Sequence, residues 1–322
     1  MSFEECLEIT KIHSISGNLS EKNPIINTRP FRSPHHTISS ASLVGGGRYP
    51  KPGEISLAHY GVLFLDELPE FNRSTLEVLR GPLEDGEITI GRSAQVLTYP
   101  SKFMLVASMN PCPCGFFGSN KECRCNEDEI KRYLGRISGP LMDRIDIQVE
   151  VNSVKYDNLN SEKTEESSEE IRKRVNKARK IQKQRYDGIG IYSNSELTPS
   201  LLEKFCKLDK SGKVILKNAF EKLGLSARAY SRILKVARTI ADLDESHNIK
   251  EKHLLEAIQY RSLDKKYEMW DIENRKRIYS EIRYQVSYDI EKSKSENFTF
   301  LCPKIWHRPM KRWEESMKIN IK

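Results

Sequence analysis

The clearest hydrophobic pattern in the chain is a run of five apolar residues at positions 61–65, Gly-Val-Leu-Phe-Leu. The run does not alternate with polar residues, which is typical of a strand buried on both faces of a parallel sheet. A similar run at 102–110 predicts a second buried strand, and the segment 139–151 predicts a turn followed by a third. These runs together predict an α/β core built on a parallel sheet.

Apolar residues at helical spacing predict helices on both sides of these strands. Phe3, Cys6, Leu7 and Ile9 give an N-terminal helix its apolar side, within residues 1–20. Period-two segments at 86–92 and 94–99 predict a β-hairpin, residues 28–37 an extended proline-rich segment, and residues 45–53 a flexible glycine loop. The remaining predicted helices cover residues 74–83, 127–134, 169–186, 199–208, 211–223, 226–243 and 253–260.

Polar residues that follow the first two strands are candidates for chemistry. Asp66 and Glu67 come directly after the first run, and Asn110 ends the second. Ligands of open α/β sheets bind beyond the carboxyl ends of the strands, where an Asp can hold Mg²⁺ and a Glu or Asn can orient a water. The alternatives are that the acids cap a helix beginning near Pro69 and that Asn110 only starts a turn.

Four of the seven cysteines lie within fourteen residues, as two Cys-x-Cys hooks. Cys112 and Cys114 form the first hook, and Cys123 and Cys125 form the second. Such hooks can place four thiolates around a tetrahedral Zn²⁺, and four protein ligands would make the ion structural. The alternative is four unligated thiols in a loop.

Composition sets wider bounds on the class of protein. The chain has 322 residues, enough for two domains, and a net charge of +8 that permits nucleic-acid contact. It has neither an apolar run of membrane-spanning length nor a signal-peptide core at its N-terminus, so we expect a cytoplasmic protein without a membrane segment. His35 and His36 could be metal ligands or phosphate contacts, although adjacent histidines more often occupy a polar loop.

Six segments in this order carry a family resemblance. They are Arg-Pro-Phe-Arg-Ser-Pro-His-His-Thr at 29–37, Leu-Val-Gly-Gly-Gly at 43–47, Pro-Gly-Glu-Ile-Ser-Leu-Ala-His at 52–59, the stretch 61–71, Met-Asn-Pro-Cys-Pro-Cys-Gly at 109–115, and Ser-Gly-Pro-Leu-Met-Asp-Arg-Ile-Asp at 138–146. With them, the chain resembles the magnesium-chelatase-like AAA+ ATPases of the YifB/ComM type over roughly residues 1–262, and the tail is not covered.

The resemblance implies a role for each candidate residue. Asp66 and Glu67 match the Walker B pair, with Asp66 holding the Mg²⁺ of ATP. Asn110 matches sensor 1, and Arg144 matches an arginine finger that acts on the nucleotide of an adjacent subunit. Arg228, in Ser-Ala-Arg at 226–228, matches the nucleotide-contacting sensor 2 arginine. Family members form hexameric rings, and ComM-type proteins are similar to DNA helicases that promote branch migration during natural transformation.

The family's phosphate-binding loop, the Walker A motif G-x4-G-K-[ST], is missing from the sequence. The only Gly-Lys pair is Gly212-Lys213, and no glycine stands five positions before it. Residues 1–14 resemble the family sequence shortly after the Walker A helix. We therefore expect a core that lacks the Walker A strand, leaving its neighbours with unpaired backbone groups, or a separate upstream chain that supplies it.

These observations predict four regions. A partial AAA+ α/β core spans 1–152, a linker and long basic helix 153–194, an all-α lid with sensor 2 195–262, and a basic helical or irregular tail 263–322. The first functional hypothesis is a fragment of an ATP-dependent DNA motor whose activity depends on the missing half. The second is a non-catalytic, zinc-stabilised DNA-binding or oligomerising protein. Metal chelation on a tetrapyrrole is a weaker third.

Overall fold

The computed structural model describes residues 1–19, 24–47, 49–92, 95–119, 121–151 and 166–261. Of the predicted linker and long basic helix at 153–194, residues 153–165 lie outside these residues, and so does the tail with all three tryptophans. The strands are β1 Phe31–Arg32, β2 Gly45–Gly46, β3 Lys51–Pro52, β4 Val62–Leu65, β5 Glu87–Arg92, β6 Gln95–Pro100 and β7 Met104–Ala107.

Helices surround the strands in the first half of the chain, and residues 166–261 form helices joined by turns, without a strand. The first seven are α1 Phe3–Ile15, α2 Ser40–Val44, α3 Glu54–Leu57, α4 Arg73–Glu77, α5 Arg80–Asp85, α6 Glu127–Leu134 and α7 Gly139–Met142. The next five are α8 Ser168–Arg185, α9 Pro199–Phe205, α10 Lys210–Leu223, α11 Ala227–Leu243 and α12 Glu251–Gln259. Single 3₁₀ turns occupy Leu68–Glu70 and Asn194–Glu196. None of the helices within the described ranges is long and apolar enough to span a membrane.

The central element is a three-stranded parallel sheet in the order β1-β4-β7. Strand β4 lies in the middle, with Val62 beside Phe31 on one side and Met104 on the other. The predicted α/β class with a parallel sheet followed by helices is therefore confirmed.

Strand β4 buries one face completely and the other only in part. Leu63 and Leu65 are fully buried in the first of two hydrophobic cores, whereas Val62 and Phe64 are half-buried. The prediction of burial on both faces is thus wrong for one face. On that face Phe64 packs against Phe31, with ring centroids 6.1 Å apart.

The prediction that 102–110 forms a second buried strand is wrong in its burial. Strand β7 forms, but Met104 and Val106 are 65% and 40% exposed. The predicted third strand does not form, and Ile147, Val149 and Val151 are 52% to 87% exposed. The reason is shared, since within the described ranges β7 pairs with β4 alone and no strand lies on its other edge.

Three further differences from the predictions are local. The predicted helix 74–83 is divided into α4 and α5, because Pro82 has no N–H to bond the carbonyl of Val78 and continue one helix. The predicted flexible glycine loop contains the antiparallel pair β2-β3, where a Cβ on Gly53 would lie 2.4 Å from the amide of Gly45. In α1, Phe3 and Leu7 are exposed, while Ile9 and Ile12 are buried.

The hairpin and the helical region agree with prediction. Strands β5 and β6 pair antiparallel, with the hydroxyls of Thr89 and Thr98 2.9 Å apart. Helices α9 to α12, with Tyr186 at the end of α8, enclose the second hydrophobic core. Ser226 caps α11 by accepting the amide of Ala229, as its position predicts.

His59 ties α1 to the start of β7. Its buried ring accepts the Lys102 amide at Nδ1, 3.0 Å away, so the ring proton sits on Nε2 and is donated to Glu8 at 3.2 Å. Burial lowers the pKa of His59 below its ordinary 6.5. Protonating Nδ1 would break the bond to Lys102, so the folded state favours the neutral ring.

A pH dependence of stability follows from this arrangement. Because the folded pKa is lowered, the contribution of His59 is present above pH 6.5 and is lost as the pH falls below that value toward the folded pKa. We therefore expect the unfolding free energy to fall through this group on acidification. His59→Asn should flatten the pH dependence in chemical denaturation, and exposed His247→Asn should not. If the unfolding free energy changed equally with pH in wild type and His59→Asn, the attribution of this pH dependence to His59 would be contradicted.

Candidate functional site

Asp66 lies at the carboxyl end of β4, beside the end of the neighbouring strand. Its Oδ1 accepts the hydroxyl of Ser108 and the backbone amide of Glu67, the latter at 3.0 Å. Ser108 in turn donates its amide to Leu65 at 3.0 Å and accepts that of Leu68 at 2.9 Å. These bonds hold one carboxylate oxygen of Asp66 in place, while the side chain stays exposed at the end of the sheet.

Glu67 has an unusual backbone conformation. Its φ of 54° and ψ of 49° are left-handed, which for a residue with a side chain costs about 1–3 kcal/mol and is typical of functional sites. His36 Nδ1 lies 3.5 Å from its carboxylate, and the rings of His35 and His36 are 4.0 Å apart. One of the two histidines of the proline-rich segment therefore contacts a predicted catalytic acid.

The segment that follows Glu67 packs against the end of α6. Arg136 donates to the Pro69 carbonyl at 3.0 Å and to Glu70 at 2.9 Å. Burial, followed by the charges of Glu70 and Glu67, raises the pKa of Tyr133, and the nearby backbone of Asn110 partly offsets this shift. Tyr133 thus lies near both the predicted sensor residue and the acidic segment.

The two predicted site arginines meet at one carboxylate. Arg144, with a side chain only 6% exposed, pairs with Oε2 of Glu84, and Arg228 lies 3.6 Å from Oε1 of the same residue. Arg144 also donates to the carbonyls of Arg80, at 3.1 Å, and Pro140, at 2.7 Å. Its guanidinium holds the pKa of Glu84 below the ordinary 4.5. In this conformation Arg144 is therefore engaged within its own chain.

Arg232, one turn after Arg228, joins the helical region to the core. It donates to the carbonyl of Arg144 at 2.7 Å and pairs with Asp146. Nearby, the amide of Gln148 bonds the carbonyl of Tyr260 at 3.0 Å. The predicted third strand is instead an extended segment that the helices hold.

The four clustered cysteines converge in space. Their sulfur atoms all lie within 4.8 Å of one another, and Cys112 is buried. Backbone hydrogen bonds, first from Phe116, lower the pKa of Cys114 to about 6. The amide of Cys114 favours ionisation of Cys125, but burial and the neighbouring thiols outweigh it and raise the pKa of Cys125 to about 12.

The described residues provide part of the donor set that Mg²⁺ and ATP require. An exposed carboxylate and a hydroxyl at adjacent strand ends, Asp66 and Ser108, suit a hard cation with oxygen ligands. Gly212-Lys213 lies inside helix α10, capped by Asp209, so this pair is not a phosphate-binding loop. The site fits the Mg²⁺ that accompanies a nucleotide. The Walker A motif, which would bind the phosphates, does not occur in the 322-residue sequence.

Several residues of the site were not predicted. Ser108 stands two residues before Asn110 at the end of the same strand, so the strand-end argument could have found it. Glu84, Tyr133 and Arg136 give no comparable signal, because their contacts arise from packing between elements distant in sequence.

A parallel sheet with Asp66 and Ser108 at adjacent strand ends, followed by a helical domain, defines a partial AAA+ core with its helical domain. Two family models match: magnesium chelatase, subunit ChlI, over residues 1–159, and the C-terminal region of the same subunit over 165–261. The chain belongs to this magnesium-chelatase-like family and to its YifB/ComM branch, as the resemblance predicted.

Its relatives are 42% to 49% identical to it over the aligned residues. Competence protein ComM of Haemophilus influenzae is 49% identical over 73% of this chain and 45% of ComM. YifB of Escherichia coli is 45% identical over 82% of this chain and 51% of YifB. Rv2897c of Mycobacterium tuberculosis is 42% identical over 76% of this chain and 48% of that protein. The chain thus spans about half the length of the curated relatives that it matches.

Proposed function

We propose that this chain is the metal-binding and water-activating half of an AAA+ ATPase site in a ComM-type DNA motor. The observation that carries the proposal is the pairing of Asp66 with Ser108 at adjacent strand ends, with Glu67 beside them. Asp66 and Ser108 would hold the Mg²⁺ of ATP, an ion that neutralises phosphate charge when bound.

Glu67 is the proposed general base or water-orienting group. Its left-handed backbone turns the residue away from the path of β4, and His36 restrains the carboxylate from the side. Asn110 is the proposed second contact to the same water, and Tyr133 lies near its backbone. Catalysis of this kind rests on positioning rather than on covalent chemistry.

Arg144 and Arg228 are the proposed contacts to phosphate. The guanidinium groups of both residues pair with the carboxylate of Glu84, which is their anionic partner in this conformation. A phosphate of a nucleotide on an adjacent subunit would compete with Glu84 for Arg144, and we assign Arg228 to a nucleotide contact within the same cluster. We propose a homo-oligomeric ring, and both the ring and its hexameric state are carried over from the family resemblance.

We assign the phosphate-binding loop, the Walker A motif, to polypeptide beyond the 322 residues, either continuous with this chain or separate. Strand β7 presents an edge without a partner strand in the described ranges, with Met104 and Val106 exposed. The extended segment with exposed Ile147 and Val149 supplies further apolar surface. We propose that a Walker A strand adds to β7, which agrees with the chain's spanning about half of each relative.

DNA is the proposed substrate, and the cytoplasm the proposed location. ComM is a competence protein by name, and this chain has a net charge of +8. Helix α8 presents exposed lysines and arginines along most of its length.

We also propose that the chain divides into four regions. They are a core at 1–152, a linker and helix at 153–194, a lid at 195–262 and a tail at 263–322.

The test of this function is ATP turnover by the purified chain. We expect negligible turnover by the chain alone and measurable turnover after adding polypeptide that contains the Walker A loop, such as the N-terminal half of the YifB relative. Robust hydrolysis by the chain alone, abolished by Glu67→Gln, would contradict the assignment of the Walker A motif to other polypeptide.

A second candidate function is a non-catalytic DNA-binding or oligomerising protein stabilised by zinc. The convergence of four cysteine sulfurs favours it. It predicts DNA binding without nucleotide that weakens steeply as salt rises, because phosphate contacts release counterions. Binding that does not change over a tenfold salt range would argue against this candidate.

A further inference from the structure

The loop that joins β7 to α6 gathers sulfur atoms at one point. Cys112 Sγ lies 3.4 Å from Cys114 Sγ and 3.7 Å from Cys123 Sγ, and the Cys114 and Cys123 sulfurs are 3.5 Å apart. Cys125 completes the group, with all four sulfurs within 4.8 Å of one another. A disulfide requires about 2.05 Å between sulfurs, so these thiols converge without bonding to each other.

We propose that Cys112, Cys114, Cys123 and Cys125 bind one Zn²⁺ as a structural ion. A tetrahedral ion with Zn–S bonds of about 2.3 Å places its sulfurs about 3.8 Å apart, close to the three distances above. An iron–sulfur cluster with several metal atoms spreads its cysteine sulfurs wider, because each binds a different part of the cluster. The spacing therefore fits a single ion.

The backbone around the sulfurs has the form of a metal hook. The amide of Phe117 donates to Cys112 Sγ at 3.3 Å, a contact that stabilises negative charge on a thiolate. The amide of Gly115 bonds the carbonyl of Cys112 at 3.0 Å, and Gly115 has a φ of +79°. A residue with a Cβ would be strained at this turn, so the glycine suits the tight return of the chain past the first hook.

The loop contributes little apolar burial of its own. Between the first and last cysteine, Phe116 is 39% exposed, and Lys121 Nζ lies 5.1 Å from the centroid of its ring. A loop with so few buried contacts is expected to be locally unstable without another restraint. A four-coordinate ion provides that restraint, since structural zinc contributes directly to folding.

The position of the loop gives the ion a consequence for the neighbouring site. Cys112 follows Asn110 by two residues, and Cys125 immediately precedes Asn126, the cap of α6. The far end of α6 carries Tyr133, which lies near the backbone of Asn110. One ion would therefore fix both ends of the connection between β7 and α6, and it needs no nucleotide to do so.

The test is metal analysis of the purified full chain. We expect one equivalent of zinc per chain, and a cobalt-substituted sample with the intense visible bands and sulfur-to-metal charge transfer of tetrahedral thiolate coordination. Cys123→Ser should lower the metal content at least tenfold under dialysis against a mild chelator, while Cys6→Ser, outside the cluster, should leave it unchanged. Full metal retention by Cys123→Ser, or an octahedral cobalt spectrum, would overturn the proposal.

A second measurement on the wild-type chain covers the case in which Cys123→Ser fails to fold. Removing metal with a strong chelator should increase amide exchange in α6 at least tenfold, and stoichiometric Zn²⁺ should restore protection. Exchange that is the same with and without zinc would overturn the structural role. Both experiments are independent of ATP, so they can succeed where the proposed ATPase function fails.

Discussion

Glu67→Gln is expected to lower ATP hydrolysis by about 100-fold or more in the assembly that contains this chain and the phosphate-binding polypeptide. The glutamine amide keeps the shape of the side chain. It removes the basic oxygen that would orient a water molecule or accept its proton. ATP binding should change little, because Asp66 and Ser108 remain. The measurement is steady-state phosphate release together with nucleotide affinity.

Glu70→Gln is the matched control for this prediction. Glu70 lies three residues on, is exposed, and pairs with Arg136 rather than with His36. It should therefore change turnover only slightly. Equal losses in the two variants would show that general damage to the 67–70 turn, and not the chemistry of Glu67, reduces the rate.

Asp242→Ala is expected to destabilise the helical region by about 3–5 kcal/mol, the usual effect of leaving buried charge without its partner. Asp242 is fully buried and accepts from Arg185, Arg238 and Asn194. Arg238 is itself only 3% exposed, so its charge would remain inside the core after the substitution. The measurement is chemical denaturation followed by far-UV circular dichroism.

Glu245→Ala is the control, because it removes an ion pair that is exposed rather than buried. Glu245 pairs with Lys177 at 3.1 Å, but both side chains are more than 60% exposed. Exposed pairs contribute about 0–1 kcal/mol, so this variant should unfold close to wild type. A loss for Asp242→Ala no larger than that for Glu245→Ala would refute the account of the buried network.

The sequence was most informative where local pattern and tertiary environment agree. The spacing of apolar residues located α6 at 127–134 and α11 to within one residue, because each has an apolar face and a capping residue just before it. Patterns at 102–110 and 139–151 predicted buried strands, but burial depends on neighbours. Strand β7 stays exposed at Met104 and Val106, because only one of its edges has a neighbouring strand among the described residues.

The candidate site divides in the same way. The strand-end argument identified Asp66 and Glu67, and the hook spacing identified the four cysteines that converge. That Arg144 and Arg228 share Glu84 could not be predicted, since three separate elements supply the residues. Their roles, like that of Asn110, remain predictions of the family resemblance.

The central claim is that β7 receives a strand from the polypeptide that carries the Walker A motif. Met104 and Ser108 donate their amides to β4, and residues alternate along a strand, so the amides of Leu105 and Ala107 point to the open edge. Hydrogen exchange at single residues measures this directly. We predict rapid exchange at Leu105 and Ala107 in the chain alone, and protection after addition of the Walker A polypeptide. Strong protection of both in the chain alone, or rapid exchange in an assembly that hydrolyses ATP, would contradict the claim.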